Sequence, residues 1–404
     1  MIVKSFYLNS TREIIVKIVK EILVLFKVNI DENNDCADYD RLEIVNDVSE
    51  DNRCVKTVLS LHKSDAAVSF RRIGFLHADE SLKAGINRLI KLNLYHIFCE
   101  DLQMKTAPWG ILHGVRPTKI VHRFMENGLN RAELIARLKN DYEVTQPKAE
   151  LITDIAYLQL PFLAKAADPR LISVYVGIPF CPSRCLYCSF PSSILPSRDI
   201  TAQYLKTLTY EIGRIKALID EYDFKVQSIY VGGGTPTSLS ENDFDDLLAL
   251  VAKTFKGDCL EEFTVEAGRP DSINLAKAKS IVKYGADRVS VNPQTMQDRT
   301  LRLIGRRHCA ADIIRAFKDV RQAGINHINT DLIIGLPGEN ENDARDTINR
   351  VIDLQPDDIT LHALALKKGS ELKLIKDDIV LPDDDTVQNM AAIMTKGVTD
   401  YGLI

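Results

Sequence analysis

Residues 174–190 read Val174-Tyr-Val-Gly-Ile-Pro-Phe-Cys-Pro-Ser-Arg-Cys-Leu-Tyr-Cys-Ser-Phe190, and the reading of the whole chain turns on them. An apolar strand pattern at 173–178 leads into a loop carrying Cys181, Cys185 and Cys188, a C-x3-C-x2-C spacing. Soft thiolates are the usual ligands of iron–sulfur clusters. Three of them in one loop can hold three corners of a four-iron cubane and leave the fourth iron without a protein ligand. An open iron is a place for a small molecule, which points to chemistry more than to electron storage. The alternatives are a zinc site or three unrelated buried thiols. Zinc would want a fourth Cys or His nearby, usually in a paired pattern. The next cysteine is Cys259, and no His lies between Tyr187 and Arg307.

Downstream, apolar strand patterns recur at 173–178, 228–231, 262–265, 288–291, 327–334 and 359–366. Helical periodicity lies between them, at about 200–221, 241–255, 274–284, 309–323 and 342–353. Strict alternation predicts a parallel sheet with helices outside it. Six such units suit a barrel or partial barrel, whose site lies at the C-terminal strand ends. The remaining motifs fall at those ends. Gly232-Gly-Gly-Thr-Pro-Thr237 directly follows a strand, where glycines let backbone N–H groups approach a ligand. It lacks the Gly-Lys-Ser/Thr ending of a P-loop, and a tight turn is the plainer reading. Glu266, Gln294 and Asp331 sit at or in three successive strands. Polar groups there are costly unless paired or bound to something, so three together predict a polar ligand pocket. Arg306 and Arg307 either clamp a carboxylate or form a charge cluster at a helix end. His308 and His362 are possible acid–base groups, although a lone His is more often structural.

Upstream, residues 1–117 mix extended runs (2–8, 41–45, 54–62, 66–73) with helices at about 11–26 and 80–94, a small α+β domain. Residues 118–168 read as a helical linker with breaks near Gly128 and Pro147. Pro161 and Asp168-Pro169 mark the approach to the barrel at 169–370. The segment Ala107-Pro-Trp-Gly-Ile-Leu-His-Gly-Val-Arg-Pro-Thr-Lys119 holds the only Trp. It is a packed connector around Trp109, or a binding loop in which Arg116 and Lys119 face an acidic group. Asp377-Asp378 and Asp383–Asp385 read as a solvated acidic linker. Beyond it Val387, Met390, Ala391, Met394 and Val398 keep helical spacing.

The composition is that of a soluble globular protein: 45% hydrophobic, 26% charged, net charge −5. That charge gives no nucleic-acid footprint. No apolar run reaches the roughly 18 residues of a membrane span, and the N-terminal stretch does not read as a signal peptide. Cys36, Cys54, Cys99, Cys259 and Cys309 stand singly and read as buried free thiols of a reducing compartment. A cytoplasmic location is expected.

On these residues the chain resembles the radical S-adenosylmethionine (SAM) superfamily, whose signature is the spacing of Cys181, Cys185 and Cys188. The resemblance implies a partial (β/α)6 barrel, a [4Fe–4S] cluster held by the three cysteines, and SAM chelating the open iron. In that superfamily the reduced cluster cleaves SAM, and the resulting 5′-deoxyadenosyl radical takes a substrate hydrogen. Within it the chain is similar to the oxygen-independent coproporphyrinogen III oxidase group, its coproporphyrinogen dehydrogenase branch. The matching text is Tyr175-Val-Gly-Ile-Pro-Phe-Cys181, Gly232-Gly-Gly-Thr-Pro-Thr237, Val265-Glu266, Val289-Ser-Val-Asn-Pro-Gln294, Gly305-Arg306 and Asp331-Leu-Ile-Ile-Gly-Leu-Pro337. Pro108-Trp109-Gly110 and Gly114-Val-Arg-Pro-Thr118 extend it upstream.

By resemblance, Tyr175, Tyr187, Gly233, Gly234, Thr235, Glu266, Gln294, Arg306 and Asp331 match positions that contact SAM. Two departures stand out. Oxidases of the group carry a fourth cysteine two residues after the third, where this chain has Phe190. The family also continues past the point where this chain stops, so residues 371–404 read as the start of a truncated C-terminal region. The implied activity is oxidative decarboxylation of coproporphyrinogen III in haem biosynthesis. A haem-binding chaperone of the same family is the main alternative, and a radical SAM enzyme on another substrate is a third. The partners implied are a porphyrinogen or haem-like molecule and an electron donor such as a flavodoxin or ferredoxin. Neither nucleic acid nor a membrane is expected.

Overall fold

Two sheets, each with its own core, organise the chain into units at 1–165 and 166–404. The computed structural model describes all residues except Thr11, Asp35, Asn52, Asp65, residues 113–115, Ala166, Lys376, Asp377 and Ile404, and the side chain of Lys165.

In the first unit β1 (Ile2–Leu8) lies parallel between β2 (Asn29–Ile30) and β3 (Tyr39–Ser49). An antiparallel meander continues through β4 (Cys54–Lys63) and β5 (Ala66–Phe75). Alternation fixes the buried face of β4, where Val55, Thr57, Leu59 and Leu61 point inward. Helix α1 (Glu13–Leu25) buries Ile15, Ile18, Val19, Ile22 and Leu23, the i, i+3, i+4, i+7, i+8 stripe of an amphipathic helix. Helix α2 (Leu82–His96) is capped by Ser81, which accepts from the Ala84 N–H.

Three further helices follow. α3 (Pro117–Glu126) opens on proline, and α4 (Arg131–Tyr142) on an Asn130–Glu133 capping box. α5 (Gln146–Lys165) completes the unit. Val121, Phe124, Leu134, Leu138 and Ile152 from these helices join the core of the sheet, so the structure counts the helical stretch with the first unit. Trp109 packs on the same core under the Lys148 ammonium, 5.3 Å from its ring. The expected breaks at Gly128 and Pro147 fall between α3 and α4 and at the start of α5, which then runs through Pro161 to Lys165. The turn into the second unit is made by Asp168, whose side chain accepts the Arg170 N–H at 2.9 Å.

The second unit is a six-stranded parallel sheet. Its strands are β6 (Leu171–Ile178), β9 (Lys225–Gly233), β10 (Glu262–Ala267), β11 (Arg288–Val291), β12 (His327–Ile334) and β13 (Asp358–Ala363). Each pairs with its neighbours in chain order, and β6 and β13 are the two edges, so this is a partial (β/α)6 barrel. Helices α6 (Arg198–Glu221), α7 (Glu241–Phe255), α8 (Leu275–Lys283), α9 (Asp298–Leu303), α10 (Ala310–Ala323) and α11 (Glu341–Ile352) return the chain between strands. The sequence reading missed α9, which is too short to show a period. It also missed two-residue strands β7 (Phe180–Cys181) and β8 (Ser193–Ile194), which pair in parallel.

The acidic stretch near 383 is no linker: Asp383 caps α12 (Asp384–Asp400) by accepting the Thr386 N–H at 2.7 Å. Helix α12 buries Met390 and Met394. Among the described residues no helix is long and apolar enough to cross a membrane. The five single cysteines are free but not buried: Cys36 and Cys259 are exposed and the others are partly so. Cys36 follows a turn held by Asn34, and Cys259 sits in the Gly257–Leu260 turn.

Candidate functional site

A cavity of about 590 Å³ opens at the C-terminal ends of the barrel strands, within the size range of small-molecule sites. The twelve residues expected to hold the cluster or contact SAM all line it: Cys181, Cys185, Cys188, Tyr175, Tyr187, Gly233, Gly234, Thr235, Glu266, Gln294, Arg306 and Asp331. Six strands in a parallel sheet aim their C-terminal ends the same way, so residues far apart in sequence meet there.

The cysteine loop is pinched shut at its base. β7 and β8 pair Phe180 with Ser193 and Cys181 with Ile194, and the Leu195 N–H donates to the Cys181 carbonyl at 2.9 Å. Its far side is braced by the Gly305 loop: Leu186 N–H donates to Ile304 O at 3.0 Å and Ser183 Oγ to Gly305 O at 3.0 Å. Gly305 has φ +79°, and a Cβ there would sit 2.9 Å from Arg184 O, so the close approach requires glycine. Each sulfur has a hydrogen-bond donor. Thr235 Oγ1 donates to Cys181 Sγ at 3.5 Å and Arg269 Nη1 to Cys185 Sγ at 3.6 Å, while the Phe190 backbone N–H serves Cys188. Burial nevertheless pushes the Cys188 thiol up.

A single zinc about 2.3 Å from each sulfur would need all three within about 4 Å of one another. Among the described residues no three Cys, His, Asp or Glu side chains close on one ion in that way. Three free thiols line one cavity, the ligand set that a cluster with three protein ligands requires.

Beside the cysteines, Gly233 (φ +111°) and Gly234 leave no room for side chains. Added Cβ atoms would stand 2.8 Å from Ile178 O and 2.9 Å from Cys181 Sγ respectively. Glu266 faces this loop and accepts the Gly233 N–H. Burial first, and then the charge of Asp331, pushes its carboxyl up to about 7. Asp331 accepts from Asn329 Nδ2 at 2.9 Å. Gln294 follows β11 in a left-handed conformation, φ +72°, pinned by Gln294 N–H to Asp331 O (3.1 Å) and Ile333 N–H to Gln294 O (2.9 Å). A strained non-glycine backbone at a cavity wall is a mark of a functional position. Tyr175 and Tyr230 stack with ring centroids 5.7 Å apart.

Arg306 is 5% exposed and holds three elements together. Its guanidinium donates to Asn292 O, to Tyr187 Oη at 3.1 Å and to Gly268 O at 3.4 Å. Its Nε–H has no partner among the described residues, a buried donor left over for a ligand. Arg307 is exposed, so the two arginines separate. His362 lines the cavity lip. His308 does not line it: its ring is buried, Nδ1 is 3.5 Å from Asp271 Oδ1, and burial holds it below the usual histidine range. Arg116 and Lys119 are exposed in the first unit, and residues 113–115 of that motif lie outside the described residues.

Sequence reasoning missed Arg269, Tyr230, Asn292 and Lys277. Arg269 is 2% exposed, and Lys277 donates to Thr237 O (2.6 Å) and Ser272 O (3.0 Å), tying the β9 and β10 loops together. The signal for Arg269 was its place in Glu266-Ala-Gly-Arg269, three residues past a flagged carboxylate. For Tyr230 and Asn292 it was strand parity with Gly232 and Gln294.

The family model described as "Radical SAM superfamily" matches residues 175–351. The oxygen-independent coproporphyrinogen-III oxidase-like protein HemZ of Bacillus subtilis is 36% identical over 323 residues, 78% of this chain and 64% of that one. The heme chaperone HemW of the same organism is 31% identical over 234 residues, 57% of this chain and 61% of that one. Among solved structures, coproporphyrinogen III oxidase (HemN) from Escherichia coli, described as a radical SAM enzyme, is similar with a TM-score of 0.53 and 27% identity. The match covers 60% of this chain and 56% of that one. The chain thus spans about three fifths of the length of each. Radical SAM domains hold a [4Fe–4S] cluster and SAM, and the donors around this cavity suit both. With the cysteine loop, the glycine turn and the strand-end carboxylates on one parallel sheet, residues 175–351 form a radical SAM domain.

Proposed function

We propose that this chain is the catalytic part of an enzyme that oxidatively decarboxylates coproporphyrinogen III to protoporphyrinogen IX without oxygen. The observation that carries the reading is the reach of the similarity. The oxidase-like relative aligns over 323 residues. The second unit holds 239 (404 − 165), so that match extends into the first unit. The chaperone relative aligns over 234, about one barrel's worth.

Cys181, Cys185 and Cys188 would hold the cluster. Arg306, with its spare Nε–H, would meet the carboxylate of SAM, and Glu266, Gln294 and Asp331 would accept from its hydroxyl and amine groups. When bound, the cluster and SAM supply a carbon-centred radical able to remove a hydrogen atom. On the substrate, a propionate β-carbon loses that hydrogen, CO₂ departs, and a vinyl double bond forms as one electron leaves to an acceptor. Two propionates react in turn. A flavodoxin- or ferredoxin-like donor would reduce the cluster.

A haem-binding chaperone is the second reading, and Phe190 at the place of the fourth cysteine favours it. The test is anaerobic incubation of the cluster-loaded full-length protein with SAM, a reductant and coproporphyrinogen III. Protoporphyrinogen IX with matching deoxyadenosine supports the enzyme. Stoichiometric haem binding without product supports the chaperone. Deoxyadenosine without any porphyrinogen product counts against both and points to another substrate.

A further inference from the structure

We infer that Arg269 is a positioning residue that sets the reduction potential of the cluster through Cys185. The inference rests on the reading that Cys181, Cys185 and Cys188 hold that cluster.

Arg269 stands just past the end of β10 and is 2% exposed. Its guanidinium is fully committed. Nε and Nη2 each donate to Asp271, to Oδ1 and Oδ2 at 3.1 Å, a bidentate pair. Nη1 faces the cysteine loop and donates to Ser183 Oγ at 3.0 Å, Ser183 O at 3.2 Å and Cys185 Sγ at 3.6 Å. The fork is therefore oriented: the carboxylate lies on one side and the sulfur on the other. His308 backs Asp271 at 3.5 Å. Cys181 receives an uncharged donor, a threonine hydroxyl, whereas Cys185 is faced by two buried guanidinium groups, Arg269 with a hydrogen bond at 3.6 Å and Arg306 beside it.

Reduction adds one negative charge to the cluster and its thiolates. A fixed cation donating to one of those thiolates favours the reduced state, because it lies in a site of low dielectric. The Asp271 carboxylate opposes that effect from behind. Hydrogen bonds to cluster sulfurs are among the levers by which a protein sets the potential. The two side chains thus act on the potential with opposite signs, although they share one ion pair.

The experiment uses the protein with its cluster reconstituted anaerobically and without SAM. It measures iron content and the midpoint potential by titration followed with electron paramagnetic resonance. R269Q should keep its iron and move the potential to more negative values. R269K, which keeps the charge but not the fork, should lie between it and the wild type. D271N should keep its iron and move the potential the other way. An unmoved potential in fully loaded R269Q overturns the inference. So does loss of the cluster from R269Q and R269K alike, or a D271N shift in the same direction as R269Q, since a merely loosened loop would do either. Full iron in Cys185→Ala would instead overturn the cluster assignment itself, so the two failures are distinguishable.

Discussion

Glu266 is held where ionisation is unfavourable, and that has a measurable sign. Its carboxyl is raised from 4.5 to about 7, chiefly by burial. Below pH 4.5 both folded and unfolded chains carry it neutral. As pH rises through the window from 4.5 to about 7, the unfolded chain ionises while the folded site resists, so stability falls. Glu266→Gln removes this effect. The variant should be more stable than the wild type at about pH 8, by on the order of 1–3 kcal/mol, and should lose that advantage as pH drops toward the unfolded value. Denaturant melts at several pH values check this, and a difference that does not change with pH defeats it. The cysteines give a second prediction. Anaerobic reconstitution should load about four irons per chain. Ala at Cys181, Cys185 or Cys188 should abolish the charge-transfer absorbance, while Ala at the exposed Cys259 should leave it intact. At this scale the sequence exposed groups whose type conflicts with their place, such as a carboxylate ending an apolar strand. It concealed groups whose type agrees with a dull reading. Lys277 on an amphipathic helix reads as solvated, and only the tertiary fold buries its ammonium against two carbonyls.

At the scale of elements, loops do the positioning while strands only deliver them. Gly233→Ala sets a Cβ 2.8 Å from Ile178 O at φ +111°, so the turn after β9 must shift. The cost should be of order 1–3 kcal/mol or more in stability, with weaker cluster loading because Thr235 and its bond to Cys181 move with the turn. Lys277→Met should cost about 1–3 kcal/mol, since Thr237 O and Ser272 O lose their shared donor. Chemical denaturation of both variants, with iron content measured alongside, checks these values. A Gly233→Ala protein as stable as the wild type would show that the turn is not constrained as described. The barrel strands were legible because each is a short apolar run ended by Gly, Pro or a polar group. The β7–β8 pair was not, because two residues carry no period and the pairing depends on the loop closing first.

On the scale of the whole molecule, the second unit explains itself by its site, and the first unit does not. The barrel's parallel order follows from alternation, and its chemistry from what stands at six strand ends. In the first sheet the buried polar groups that converge, Asn46, Thr57 and Asn93, are hydrogen-bonded to one another, as in a structural core. Its architecture was therefore readable while its role was not. The cores are nonetheless separate. One is drawn from residues between Val3 and Ala156, the other from residues between Val176 and Met394. The first includes a sheet with two packed helices and the later helices that close it, with Tyr95 and Phe98 fully buried. About 165 residues is also a sufficient length for an independent domain. Residues 1–165 expressed alone should therefore unfold in one cooperative transition with native-like near-ultraviolet dichroism from Trp109 and the buried tyrosines. A non-cooperative melt, or a featureless near-ultraviolet spectrum, would show that this core needs the barrel to form. In that case the first unit would be part of the barrel's folding unit rather than a domain that folds by itself.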